Sequence, residues 1–176
     1  MFKVYSKMHG LAYLFTTLAH LIVSLKHETE TNEIQMEVDT SKLEEGEDSI
    51  SNKWQLLLIA QKIWSSISKS VTKAPPTLRY LTYFIHSEVS LKYPQYSFRS
   101  IGAFWFLRFF CPALVAPHAY GLIPEPPSNQ LQRELILLSK IMQNLANEVG
   151  NYKYFFLNNF IFIFYSFIFI NSNLKF

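Results

Sequence analysis

Apolar residues in this chain recur three and four positions apart in several separate runs, the spacing of one buried stripe along an α-helix. Leu11, Leu14, Leu18, Leu21, Ile22 and Leu25 predict a first helix ending near Lys26. The periodicity lapses over residues 27–53. It resumes at Trp54, Leu57, Ile63, Trp64 and Ile67 and stops at Ala74-Pro75-Pro76, where proline withholds an amide and restricts the residue before it. Thr77 stands where an N-cap would open a third helix carrying Leu78, Leu81, Ile85 and Val89, closed before Tyr93-Pro94. Ser100 to Cys111 is apolar on every side except at Arg108, which predicts a central helix covered by its neighbours and ended by Pro112. The stretch from Pro117 to Pro127 reads as a proline-rich loop. Leu131, Leu135, Leu138, Met142, Leu145 and Val149 then form the most regular stripe of all. No run alternates with period two long enough for a sheet, so the expected fold class is all-α.

Charge divides the chain unevenly. Nine of the thirteen acids fall between His27 and Ile50 beside a single cation, Lys42, while elsewhere fifteen Lys and Arg face four acids. The acidic stretch has too few aromatic and β-branched residues to offset its ordering entropy, which predicts an exposed connection over 27–53. A basic body suits an acidic partner. The chain carries no zinc ligand set, aromatic stacking motif or reading helix, so an acidic protein surface fits better than nucleic acid. Its length is that of one domain, and 49% hydrophobic against 16% charged residues excludes a disordered chain. One cysteine, Cys111, excludes an internal disulfide, and the opening residues do not follow the signal-peptide pattern. The reading is cytoplasmic.

Two constellations stand out. Phe106-Leu107-Arg108-Phe109-Phe110-Cys111-Pro112-Ala113 sets one guanidinium in an apolar helix, where an unpaired buried charge is costly, so Arg108 is either paired or reaches an edge. It is a structural arginine or a fixed cation at a docking surface. On the last helix Arg133, Lys140, Asn144 and Asn147 fall within one narrow face opposite the leucine stripe. A solvated face looks similar, but Asn is a poor helix former, and two so close together favour an interface. The five histidines show no metal-ligand spacing, and neither a phosphate loop nor a serine elbow is present, so no metal, cofactor or active site is implied.

Phe106 to Ala113 resembles the signature of Ras GTPase-activating proteins, Phe-Leu-Arg, three residues and Pro-Ala, at every fixed position. Pro75-Pro76-Thr77-Leu78-Arg79-Tyr80, Gly121-Leu122-Ile123 and Lys140-Ile141-Met142-Gln143-Asn144-Leu145-Ala146-Asn147 are similar to the same family in order and spacing, as is Gly10-Leu11-Ala12-Tyr13-Leu14. The resemblance covers residues 1–150 and implies a helical domain, truncated at both ends, that regulates a separate enzyme, a Ras-type small GTPase in its GTP-bound form, and so restrains Ras signalling. It implies that Arg108 steadies the catalytic loop, that Leu107 touches the switch region, that Lys140 answers an acidic switch residue, and that Asn144 and Asn147 line the docking groove.

Two departures qualify that expectation. The family's arginine finger lies upstream of the segment matching Gly10 to Leu14, and here no Arg precedes Arg79. A finger contributes about 10³ to 10⁵ in rate, so impaired activation, or a scaffold that binds without activating, is expected. The second departure is the tail, 151–176, nearly all Phe, Ile, Tyr and Asn, in which only Ser166 and Ser172 need codons beyond A and T. It reads as translated intron outside the family fold. The rival reading is a membrane-anchored helical protein, since Tyr154 to Ile170 approaches the length that spans a bilayer. Recruitment to the plasma membrane is otherwise left to further domains of a full-length protein.

Overall fold

The structure, a computed structural model, describes residues 2–148 except 44, 45 and 47; the apolar tail lies outside the described residues. Among the described residues there are six α-helices: α1 Phe2–Glu30, α2 Ser49–Ser70, α3 Pro76–Lys92, α4 Ser97–Gly102, α5 Cys111–Val115 and α6 Asn129–Glu148, with a π-helical segment Ala103–Phe110 joining α4 to α5. No strand occurs among the described residues, and the fold is all-α as the spacing predicts.

Local chemistry sets the helix starts. The Asp48 carboxylate accepts from the Ile50 and Ser51 amides and caps α2, while Pro76 opens α3 where its missing N–H is harmless. Pro75, rather than Thr77, takes the capping position of α3. The Ser128 hydroxyl accepts from the Leu131 amide at 3.2 Å and starts α6.

The run from α4 through α5 fills the centre. Trp105, Phe109 and Phe110 are fully buried, and the Tyr13 ring from α1 packs against all three. Trp105 Nε1 donates to Thr82 Oγ1 at 3.0 Å, and Tyr13 Oη shares a 2.7 Å hydrogen bond with Ser70 Oγ, so both polar ends inside the core are satisfied. Burial pushes the Tyr13 phenol up to about 12. Gly10 lets α1 approach this cluster: a Cβ there would sit 2.5 Å from Phe109 Cε2. The helices Lys7–Glu30 and Pro94–Val115 are long and apolar enough to cross a bilayer, yet the inward side chains of both supply this core.

Several boundaries and faces differ from expectation. Pro112 does not end the central helix; it is the second residue of α5, and the chain stays helical to Val115. α1 runs to Glu30 and α2 starts at Ser49, so the acidic connection is shorter than 27–53. It is also less exposed, because Met36 is buried while Ile34 and Val38 pack against the core, alternating as in an extended segment. α2 buries Leu56, Ile59, Ile63 and Ile67, which turns Trp54 and Leu57 outward. Leu11, expected in the α1 stripe, lies at its exposed margin.

Candidate functional site

The site is built where the π-helical segment and α5 run antiparallel to α6. Gln132 Nε2 donates to the Val115 carbonyl at 2.8 Å near one end, and the Cys111 thiol donates to the Ser139 carbonyl at 3.7 Å nearer the other. The widened turns have a local cause. In an ordinary α-helix the Pro112 ring would press on the Arg108 carbonyl four residues back; here the segment before it is wound to five-residue spacing, with the Cys111 amide bonded to the Phe106 carbonyl. Phe104, Phe106, Phe109 and Phe110 turn inward, while Leu107 is half-buried and Arg108 exposed. Arg108 therefore reaches an edge, with Nη1 3.5 Å from the Ala103 carbonyl.

α6 presents its leucine stripe to the core, burying Leu131, Leu135, Leu138 and Met142. On its other side Lys140, Asn144 and Asn147 are exposed one turn after another. Arg133, the first member of the predicted strip, is drawn aside: its guanidinium Nε donates to Glu37 of the acidic connection. Glu37 also accepts from the Val38 and Asp39 amides, and Arg133 holds its carboxyl below the usual carboxylate range. The strip thus divides into a cation paired within the chain and three residues facing solvent.

Next to Arg133, Glu134 is buried, and its Oε1 has no hydrogen-bond partner within 3.5 Å among the described residues. The Thr29 hydroxyl lies 2.6 Å from Glu134 Oε2 and 2.8 Å from the Leu25 carbonyl. Burial pushes the Glu134 carboxyl up to about 7, against the smaller effect of hydrogen bonding. In the protonated form Glu134 donates to Thr29, which is then free to donate to Leu25. Glu134, Glu37, Arg133 and Lys42 line a cavity of about 310 Å³ at this end of α6. Leu107, Arg108, Lys140, Asn144 and Asn147 do not line it.

Nucleophilic and metal chemistry find little to work with. Burial pushes the Cys111 thiol up to about 11, which keeps it in the unreactive thiol form. Among the described residues no group of three or more His, Cys, Asp or Glu is placed to hold a metal ion.

Residues 1–147 match the family model of the GTPase-activator protein for Ras-like GTPase. The chain belongs to the RasGAP family. It is 37% identical to a probable Ras GTPase-activating-like protein, ngap, of Dictyostelium discoideum over 155 residues, 85% of this chain and 17% of that protein. It is 38% identical to human Ras GTPase-activating protein 1 over 116 residues, 64% of this chain and 11% of that protein. With Ras GTPase-activating protein 2 of Rattus norvegicus it shares 32% identity over 146 residues, 80% of this chain and 16% of that protein. The chain thus spans less than a fifth of the length of these curated relatives.

Within this partial RasGAP domain, sequence patterns pointed to the exposed residues on α6 and missed what supports them. Glu37 carried no signal beyond its place in an acidic run. Glu134 carried no sequence signal of its own, and its contact with Thr29, 105 residues away in sequence, belongs to the core.

Proposed function

We propose that this chain docks on a Ras-type small GTPase in its GTP-bound form through Leu107 and Arg108 and the exposed Lys140, Asn144 and Asn147 of α6. It acts as a regulator of a separate enzyme and belongs, by family, to the machinery that restrains Ras signalling. The observation that carries the reading is the exposure of Lys140, Asn144 and Asn147 on successive turns of α6, beside the element bearing the Phe-Leu-Arg signature. Lys140 forms no ion pair among the described residues, so its charge is open to an acidic switch residue.

Activation is the second half of the proposal. No Arg precedes Arg79, so this chain lacks an arginine to insert into the GTPase site from the region before Gly10. Without that cation the developing phosphoryl charge loses a stabilisation of roughly 4 to 7 kcal/mol, the equivalent of about 10³ to 10⁵ in rate. The chain therefore binds and accelerates hydrolysis little, which makes it scaffold-like in effect.

Equilibrium binding to a GTPase loaded with a non-hydrolysable GTP analogue or with GDP tests the docking. Preference for the GTP form, weakened by Leu107→Ala and Lys140→Ala without loss of helix content, is the expected result. Equal binding of both forms, or binding indifferent to those substitutions, would overturn the assignment.

A further inference from the structure

The outward face of α3 departs from what a surface helix needs. Leu78 and Thr82 are fully buried, and the positions turned half a revolution away from them are Tyr80, Tyr83, Phe84, Ser87 and Leu91. That face is ordinarily charged or polar. Here Tyr80 is 59% exposed, Tyr83 49%, Phe84 48% and Leu91 80%, and Tyr93 and Tyr96 follow in the next turn, each at least half exposed. Tyrosine pairs an apolar ring with a polar tip, the character suited to the boundary between lipid headgroups and acyl chains.

The charge flanking this helix in sequence is one-sided. Between Asp48 and Glu125 the chain carries eight Lys and Arg and one acid, Glu88. Lys73 before α3, Lys92 at its end and Arg99 beyond it are all exposed. The acidic connection lies far off. It is tied to α6 through Glu37 and Arg133, beside the contact of Thr29 with Glu134, whereas α3 meets α1 at Gly10. Thr29 follows Gly10 by nineteen positions on α1, about 28 Å along the helix at 1.5 Å per residue. That is about three times the screening length in physiological salt, so the acids around Thr29 and Glu37 contribute little field where α3 meets α1.

We propose that the Tyr80–Leu91 face of α3 is a peripheral docking surface for an anionic lipid bilayer, with its aromatic rings at the headgroup level and Lys73, Lys92 and Arg99 against the lipid phosphates and carboxylates. The surface requires no spanning segment. Its attraction comes from shallow burial of the rings together with cation pairing to acidic headgroups.

The test uses the full chain and vesicles of phosphatidylcholine with or without phosphatidylserine. Cys111 is buried, so an environment-sensitive dye attached through Ser87→Cys reports on the α3 face, and one attached through Ser41→Cys reports on the acidic connection. Phosphatidylserine vesicles are expected to blue-shift the dye at position 87 and leave that at 41 unchanged. Tyr83→Ser with Phe84→Ser should lower vesicle partitioning by about tenfold or more, given the apolar area withdrawn. Lys92→Glu with Arg99→Glu should abolish the preference for phosphatidylserine, with each variant's helix content checked by circular dichroism. Three results would overturn the proposal. Sedimentation with vesicles and no change at position 87 would place the contact elsewhere in the chain; a concentration-dependent shift at 87 without lipid would mean the face covers a second copy; partitioning indifferent to all four substitutions would leave the face without a lipid role.

Discussion

Gly10 and Phe109 fix the crossing of the first helix over the π-helical segment. A Cβ on residue 10 would lie 2.5 and 2.6 Å from Phe109 Cε2 and Cζ and 3.0 Å from Leu78 Cδ1. The ring cannot swing aside, because Tyr13, Trp105 and Phe110 enclose it. Gly10 belongs to the Gly-Leu-Ala-Tyr-Leu segment, so part of that pattern is required by close helix packing rather than by contact with a partner.

Gly10→Ala is accordingly expected to destabilise the domain by about 1 to 3 kcal/mol through overpacking, despite alanine's higher helix propensity. Phe109→Leu in the same chain should remove the clash, so that the second substitution costs less in the Gly10→Ala background than alone. Thermal or urea unfolding of the two single variants and the double variant measures this coupling.

Glu134 gives the domain a pH dependence of unusual sign for a carboxylate. Its folded pKa, about 7, lies above the ordinary glutamate value of 4.5, so the folded state holds the proton more tightly than the unfolded chain. Stability from this group is fully present below the unfolded pKa and is lost as pH rises toward and through 7, by about 3 kcal/mol over the whole window. Glu37 works the other way, since Arg133 lowers its pKa, and its contribution is lost only in acid. Glu134→Gln keeps the hydrogen bond with Thr29 and removes the charge. It should flatten the loss of stability between pH 5 and 8 in denaturant titrations; an unchanged slope would show that folding does not raise the Glu134 pKa.

Arg133 and Lys140 share a face of α6 and are expected to answer different assays. Arg133 is paired with Glu37, and its side chain is partly exposed, so Arg133→Ala should cost little stability and leave GTPase affinity nearly unchanged. Lys140→Ala should leave stability unchanged while slowing association with the GTPase and reducing its salt dependence. Stopped-flow binding at two ionic strengths, beside unfolding curves, separates the two roles.

The core stripes were legible because helical spacing writes them into the chain: Leu14, Leu18, Ile22 and Leu25 on α1, and Leu131, Leu135, Leu138 and Met142 on α6, are all buried. Spacing failed where a helix carries apolar residues on two faces. In α2 the Trp54 and Leu57 positions looked like the stripe, but Leu56, Ile59, Ile63 and Ile67 make a longer one, and the longer one is buried. Pro112 read as a stop because an α-helix cannot carry proline there, whereas the five-residue spacing of the preceding segment accommodates it. Exposure of Lys140, Asn144 and Asn147 on α6 was legible as a face. The pairing of Arg133 with Glu37, 96 residues away, was not, since no local pattern encodes a contact between distant segments.

Single-turnover GTP hydrolysis by a Ras-type GTPase, with this chain in saturating excess and its binding followed in parallel, tests the central claim most directly. The account predicts saturable binding that Lys140→Ala weakens, with a hydrolysis rate far short of the roughly 10³- to 10⁵-fold enhancement a finger confers. Acceleration on that scale would contradict it, because one of Arg79, Arg99, Arg108 and Arg133, the chain's only arginines, would then have to serve as the finger.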